Sequence, residues 1–285
     1  MFREHLKGVA VALPLVTAVL TVVAPPVLAG EHLRSEVHQS LWYYWPNRFV
    51  YYNIQTTGSS GLNVGPGALL DGESIRDAAG RSFSAWASQP CTDMQFYFAG
   101  FTADRGSNMT SEDINGKNSI IFRYEDWDGT ECQDAIACTT VVTRRAAGEI
   151  LDADIDLNGA DHEFVLDPIP GSMAFDLQSV LTHEVGHMIG FNHTQIESAV
   201  MWPYASWGDA ATRRELAQDD VEILCETYTA GECTMVNDWD QRVCPETVLD
   251  GGCGAAPVPR SGRVGGIGLL ALVFGAALLA RFRCR

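Results

Sequence analysis

The clearest pattern in the chain is the strict alternation from Ile150 to Asn158, where Leu151, Ala153, Ile155 and Leu157 interleave with Asp152, Asp154, Asp156 and Asn158. A period of two puts the two sets on opposite faces of an extended backbone, so the spacing predicts a half-buried strand with an acid-lined solvent face. The acidic set, with Glu163 at the twelfth position, also invites comparison with an EF-hand loop. Leu157 stands where that loop turns on Gly, and strict alternation fits a strand better, with a Ca²⁺ site at its end left open.

Helical spacing governs three other stretches. From Asp71 to Ala87, Ile75, Ala78, Ala79, Phe83 and Trp86 recur on one side, as expected of a helix packed on a sheet. A second helix is expected from Asp176 to Ile189, with Leu177, Val180, Leu181 and Val185 on one face, and a third from Leu216 to Thr227. Arg48 to Ile54, Met94 to Phe98 and Ser119 to Tyr124 are short strand candidates. Strands precede helices without βαβ alternation, which predicts an α+β fold. The roughly 190 residues from Trp42 to Tyr228 suffice for one substantial core, and no internal repeat is visible.

Both ends read as addresses. Arg3 and Lys7, the apolar run Val9 to Val23, and Val27-Leu28-Ala29 follow the layout of a secretory signal, with cleavage expected after Ala29. Pro14, Pro25 and Pro26 weigh against an uncleaved anchor. At the other end a Gly/Pro-rich linker from Gly251 to Gly262 precedes the apolar segment Val264 to Ala280 and then Arg281, Arg283 and Arg285. As a helix that segment spans roughly 25 Å, close to the lower limit for crossing a bilayer. The expected organisation is a signal peptide over residues 1–29, a folded domain over 30–230, a Cys-containing extension and linker over 231–263, and an apolar helix with an Arg cluster over 264–285.

Charge and cysteines narrow the classes. Between residues 31 and 259 there are 12 basic and 35 acidic side chains, a net charge of −23. Such a surface repels nucleic acid and anionic membranes, so no nucleic-acid partner is expected, and membrane contact is confined to the C-terminal apolar helix, transient if the tail is processed. A monomer is expected. Of the eight cysteines, Cys253 lies in the linker and Cys284 beyond the apolar segment. The other six (Cys91, Cys132, Cys138, Cys225, Cys233, Cys244) suit an oxidising, extracellular compartment. Their fifteen connectivities are open, with Cys132–Cys138 and Cys233–Cys244 the first local pairs to consider.

The chemistry is concentrated in His183-Glu184-Val185-Gly186-His187-Met188-Ile189-Gly190-Phe191-Asn192-His193. Four residues apart on a helix, His183 and His187 project from one face within reach of one ion. Glu184, offset by about 100°, can reach water beside that ion without being a ligand. Gly190 lets the chain leave the helix, and His193 can return as the third ligand. Three neutral imidazoles leave a tetrahedral position for water, the arrangement of a catalytic Zn²⁺. Glu184 is then the expected general base and acid.

These eleven residues resemble the extended motif of the metzincin clan of zinc peptidases, and within it the matrixin family. Ser198-Ala199-Val200-Met201-Trp202-Pro203 resembles the family's Met-turn, which implies that Met201 lies beneath the zinc without binding it. Leu216 to Val221 is similar to the opening of the family's last helix, and Gly148 to Asn158 to the strand over its cleft, so the likeness covers most of residues 42–228. Thr194 and Pro203 depart from the astacin and serralysin patterns, while Phe191 and Tyr204 depart from the matrixins at the primed-side pocket.

The resemblance implies a twisted, mostly parallel sheet with one antiparallel edge strand, packed on an early helix and the active-site helix, plus a C-terminal helix. It implies a secreted zinc metalloendopeptidase acting on protein or peptide substrates. The alternative is an inactive metzincin-like binding or adhesion module at the cell surface. If the fold holds, substrate is expected to add a strand near Thr139 to Thr143. No cysteine-switch segment is expected between Ala29 and Trp42. Gly251-Gly252-Cys253-Gly254, the apolar segment and the arginines resemble C-terminal sorting signals of certain Gram-negative bacteria, including the myxobacterial type; a plain membrane anchor is the competing reading.

Overall fold

The computed structural model describes residues 30–34, 41–55, 62–63, 69–103, 115–125, 127, 132, 134–144, 147–168, 170–207, 213–231 and 277–284. The signal reading and the Cys233–Cys244 pair lie outside these residues, as does 264–276 of the apolar segment.

In chain order the elements are β1 (Phe49–Gln55), β2 (Leu62–Asn63), β3 (Leu69–Leu70), α1 (Gly72–Ala87), β4 (Gln95–Thr102), β5 (Asn118–Arg123), β6 (Ala137–Arg144), β7 (Glu149–Asn158), β8 (Glu163–Val165), β9 (Ala174–Asp176), α2 (Leu177–Met188), α3 (Gln218–Thr227) and β10 (Ala277–Cys284). The main sheet runs β10-β6-β7-β5-β1-β4. Strands β7, β5, β1 and β4 are mutually parallel and β6 is antiparallel to β7. The α+β layout and the mostly parallel sheet with its antiparallel strand are as expected.

Helices α1 and α2 pack on one another against the sheet. The predicted stripe of α1 is buried, with Phe83 stacked on Tyr52 of β1 at 4.0 Å between ring centroids. Each helix starts at an Asp whose carboxylate accepts an otherwise unsatisfied N–H: Asp71 from Ser74 at 2.8 Å, Asp176 from Ser179 at 2.6 Å. Cys91, just after α1, is bonded to Cys225 of α3, and Cys132 to Cys138.

Two expectations need correction. The acidic face of β7 is not solvent-exposed: Asp152, Asp154 and Asp156 are each at most 4 % accessible. Strand β5 and the residues before it supply partners: the N–H of Asn115 donates to Asp152, the N–H of Ser119 donates to Asp154, and Arg123 pairs with Asp156 at 2.8 Å, so burial is offset by groups from elsewhere in the chain. The second concerns the tail. Ala277 to Cys284, expected as the end of an apolar helix and the arginines after it, form a strand antiparallel to β6, from Ala277 opposite Arg144 to Cys284 opposite Ala137. The outer edge of β6 offers a row of backbone donors and acceptors, and pairing there satisfies the extended backbone of the tail. Among the described residues no helix is long and apolar enough to cross a membrane.

Candidate metal centre

Helix α2 carries His183 and His187 one turn apart and faces β6. Its burial is almost complete: every residue from Val180 to Met188 is shielded from solvent. A buried helix end needs partners for its last carbonyls, and aromatic side chains supply them. The indole N–H of Trp45 donates to the carbonyl of Met188 at 2.9 Å, and the hydroxyl of Tyr228 to that of Ile189 at 2.7 Å.

Gly190 then takes φ +97°, and a Cβ there would stand 2.1 Å from the carbonyl oxygen of Tyr43. Both facts require glycine, and the resulting turn brings His193 back over the helix. The imidazole donor atoms of His183, His187 and His193 all lie within 4.8 Å of one another, with the Nε2 atoms of His187 and His193 at 3.2 Å. Ligands about 2.05 Å from one tetrahedral zinc stand roughly 3.3 Å apart, so small side-chain adjustments close the set.

Tautomers follow from the hydrogen bonds. Nδ1 of His183 lies 2.6 Å from the carbonyl oxygen of Val200, and Nδ1 of His187 2.8 Å from that of Phe191. A carbonyl only accepts, so both Nδ1 atoms carry the proton and both Nε2 atoms present a lone pair. Nε2 of His183 is buried without a hydrogen-bond partner. Burial holds His183 neutral, its pKa lowered to about 3, with the His193 ring adding to the effect; His187 is pushed well below its ordinary value and His193 to about 4. Neutral, pre-oriented nitrogen donors fit a borderline-soft divalent cation such as Zn²⁺.

Glu184, next to His183 on the same helix, is fully buried. Its Oε2 accepts from the Thr139 hydroxyl of β6 at 2.6 Å, while Oε1 is buried without a partner. Burial raises the carboxyl to about 8, against the pull of the Thr139 hydrogen bond.

Met201 packs against α2 at Gly186, where a Cβ would meet its sulfur at 2.2 Å and the Trp86 ring at 2.8 Å. The turn carrying Met201 is held by Asp220 of α3, whose buried carboxylate accepts from the N–H of Val200 at 2.8 Å and of Met201 at 3.1 Å. An open cleft adjoins His183, lined by Phe175, Val180, Val200, Trp202, Ala205 and Arg213.

The structure thus brings His183, His187 and His193 together, places Glu184 on the same buried helix and packs Met201 against that helix at Gly186. Sequence reasoning missed Thr139 and Asp220 as partners of the site, because each acts across more than 15 residues of chain. The expected substrate edge, Thr139 to Thr143, is paired with Leu278 to Phe282 of β10.

Comparison with known proteins agrees with this geometry. The chain is 29% identical over 159 residues to Metalloendoproteinase 5-MMP of Arabidopsis thaliana, covering 55% of this chain and 40% of that protein. It is 40% identical over 76 residues to Metalloendoproteinase 1-MMP of the same plant, 26% of this chain and 20% of that one. It is 36% identical over 53 residues to Karilysin of Tannerella forsythia, 19% and 10%. The chain thus spans well under two thirds of these relatives. The sequence model described as Matrixin matches residues 64–229, a stretch that takes in strands β4 to β7 of the main sheet, the histidine helix and the turn carrying Met201. By that match the chain belongs to the matrixin family.

Proposed function

We propose that the chain is an exported zinc metalloendopeptidase in which His183, His187 and His193 hold the metal and Glu184 is the general base and acid. The observation that supports it most is the convergence of three neutral imidazoles, two of them on a helix that also carries Glu184, whose Oε1 is buried without a partner. When bound, zinc would supply Lewis acidity, easing deprotonation of water and stabilising negative charge on the peptide carbonyl oxygen. Glu184, through Oε1, takes the proton of the attacking water and returns it to the departing amine. The apolar walls of Phe175, Val180 and Val200 would receive a substrate side chain, and its backbone would run along β6 once β10 yields that edge.

Export rests on the signal-like residues 1–29 and the two disulfides; a bacterial sorting role for the tail rests on the motif at Gly251 to Gly254. The test is hydrolysis of a quenched fluorescent peptide library by the zinc-loaded chain, by the chain stripped with a chelator, and after zinc is restored. Cleavage that vanishes and returns with zinc supports the proposal; equal cleavage by the stripped protein contradicts it.

A further inference from the structure

Strand β6 presents Thr139 to α2 as a fully buried side chain. Its Oγ1 lies 2.6 Å from Oε2 of Glu184 and 3.2 Å from the backbone carbonyl oxygen of the same residue. A hydroxyl has one proton to give, and the shorter contact is typical of an O–H donating to a carboxylate. Thr139 is held on both sides, opposite Ile155 of β7 and Phe282 of β10. The hydroxyl is thus a fixed point on a rigid strand, whereas the glutamate it meets has three side-chain torsions to settle.

We propose that Thr139 is a positioning residue: by engaging Oε2 it fixes the Glu184 carboxylate in one rotamer and turns Oε1 toward the space beside the histidines. This rests on the reading of Glu184 as the base. The other carboxylate oxygen, Oε1, is buried and makes no hydrogen bond. Without the hydroxyl the carboxylate is free to swing, and misplacement of a reacting group by about 1 Å is enough to cost on the order of 100-fold in rate.

A space-filling role and a positioning role predict opposite rankings of two near-isosteric variants. Thr139→Val keeps the shape and loses the donor; Thr139→Ser keeps the donor and loses a methyl group. Positioning predicts that zinc-loaded Thr139→Val loses roughly 10- to 100-fold in kcat with KM and zinc content little changed, while Thr139→Ser stays within about threefold of the parent. Thr139→Ala, which also lacks the hydroxyl, carries the same expectation as Thr139→Val. A crystal structure of zinc-loaded Thr139→Val is expected to show the Glu184 carboxylate rotated from its place in the parent. Glu184→Gln is run in parallel. If Thr139→Val turns over like the parent while Glu184→Gln is inactive, the proposal for Thr139 falls alone. If Glu184→Gln is as active as the parent, the base assignment falls and takes this proposal with it.

Discussion

Nδ1 of His183 donates to the carbonyl oxygen of Val200 across 2.6 Å, so the histidine helix is tied directly to the turn that carries Met201. One hydrogen bond sets the tautomer of the ring and joins two segments that the chain separates by 17 residues. The turn is anchored in its own right by Asp220, which accepts from the N–H groups of Val200 and Met201.

Removing that anchor should be felt at the metal. In Asp220→Ala two buried N–H groups lose their acceptor, the turn loosens, and the carbonyl facing His183 loses its fixed place. Zinc affinity is expected to fall about 10- to 100-fold, the usual consequence of disturbing groups that orient metal ligands. Titration against a chromophoric chelator measures this, and unchanged affinity would separate Asp220 from the centre.

Gly190 is expected to tolerate no side chain. A Cβ in Gly190→Ala would meet the backbone oxygen of Tyr43 at 2.1 Å, at a φ of +97° that L-residues rarely adopt. Strain and overlap together should cost about 3 kcal/mol or more, lowering the melting temperature by roughly 6–12 °C for a domain of this size. Thermal unfolding by circular dichroism is the check.

The pH dependence of stability has an identifiable contributor away from the metal. His32 is buried, stacked on Trp42 at 3.7 Å and bonded to the Thr227 hydroxyl, and burial, with the charge of Arg34, lowers its pKa from 6.5 to about 3. A histidine with a depressed folded pKa stabilises fully above its unfolded value of 6.5, and that stability is lost as pH falls toward 3. By pH 5 the loss amounts to about 2 kcal/mol. Denaturant unfolding of the parent and of His32→Gln at pH 7.5 and pH 5 measures it: the variant should lose less stability than the parent over that interval.

The parts legible in the sequence were those fixed over short distances. His183 and His187 share a helix face by spacing alone, Gly190 announces the turn that returns His193, and Cys132 and Cys138 lie six residues apart. What required the fold was set by partners remote in sequence. The burial of Asp152, Asp154 and Asp156 depends on Ser119, Arg123 and their neighbours; Cys91 meets Cys225 across 134 residues. Alternation along β7 gave the two faces correctly but could not say what covered the acidic one. The described part of the tail illustrates the same limit: composition makes Val264 to Ala280 an expected helix, while the pairing of Ala277 to Cys284 depends on an edge supplied by β6.

That edge yields a further prediction. With β10 paired to β6, a peptide backbone must displace Leu278 to Phe282 before it can lie along Thr139 to Thr143. A chain ending at Ala276 should therefore bind peptide more tightly, its KM lower by the fraction of molecules whose edge was covered and its kcat little changed. Steady-state kinetics on the full chain and the shortened one decide this, and equal KM values would count against displacement.

The most direct measurement is made on Glu184→Ala, with zinc content and peptide hydrolysis determined on the same preparation. The account predicts one tightly bound zinc per chain, an unchanged fold and loss of hydrolysis by several orders of magnitude. A variant that binds zinc and still cleaves peptides at the parental rate would contradict it.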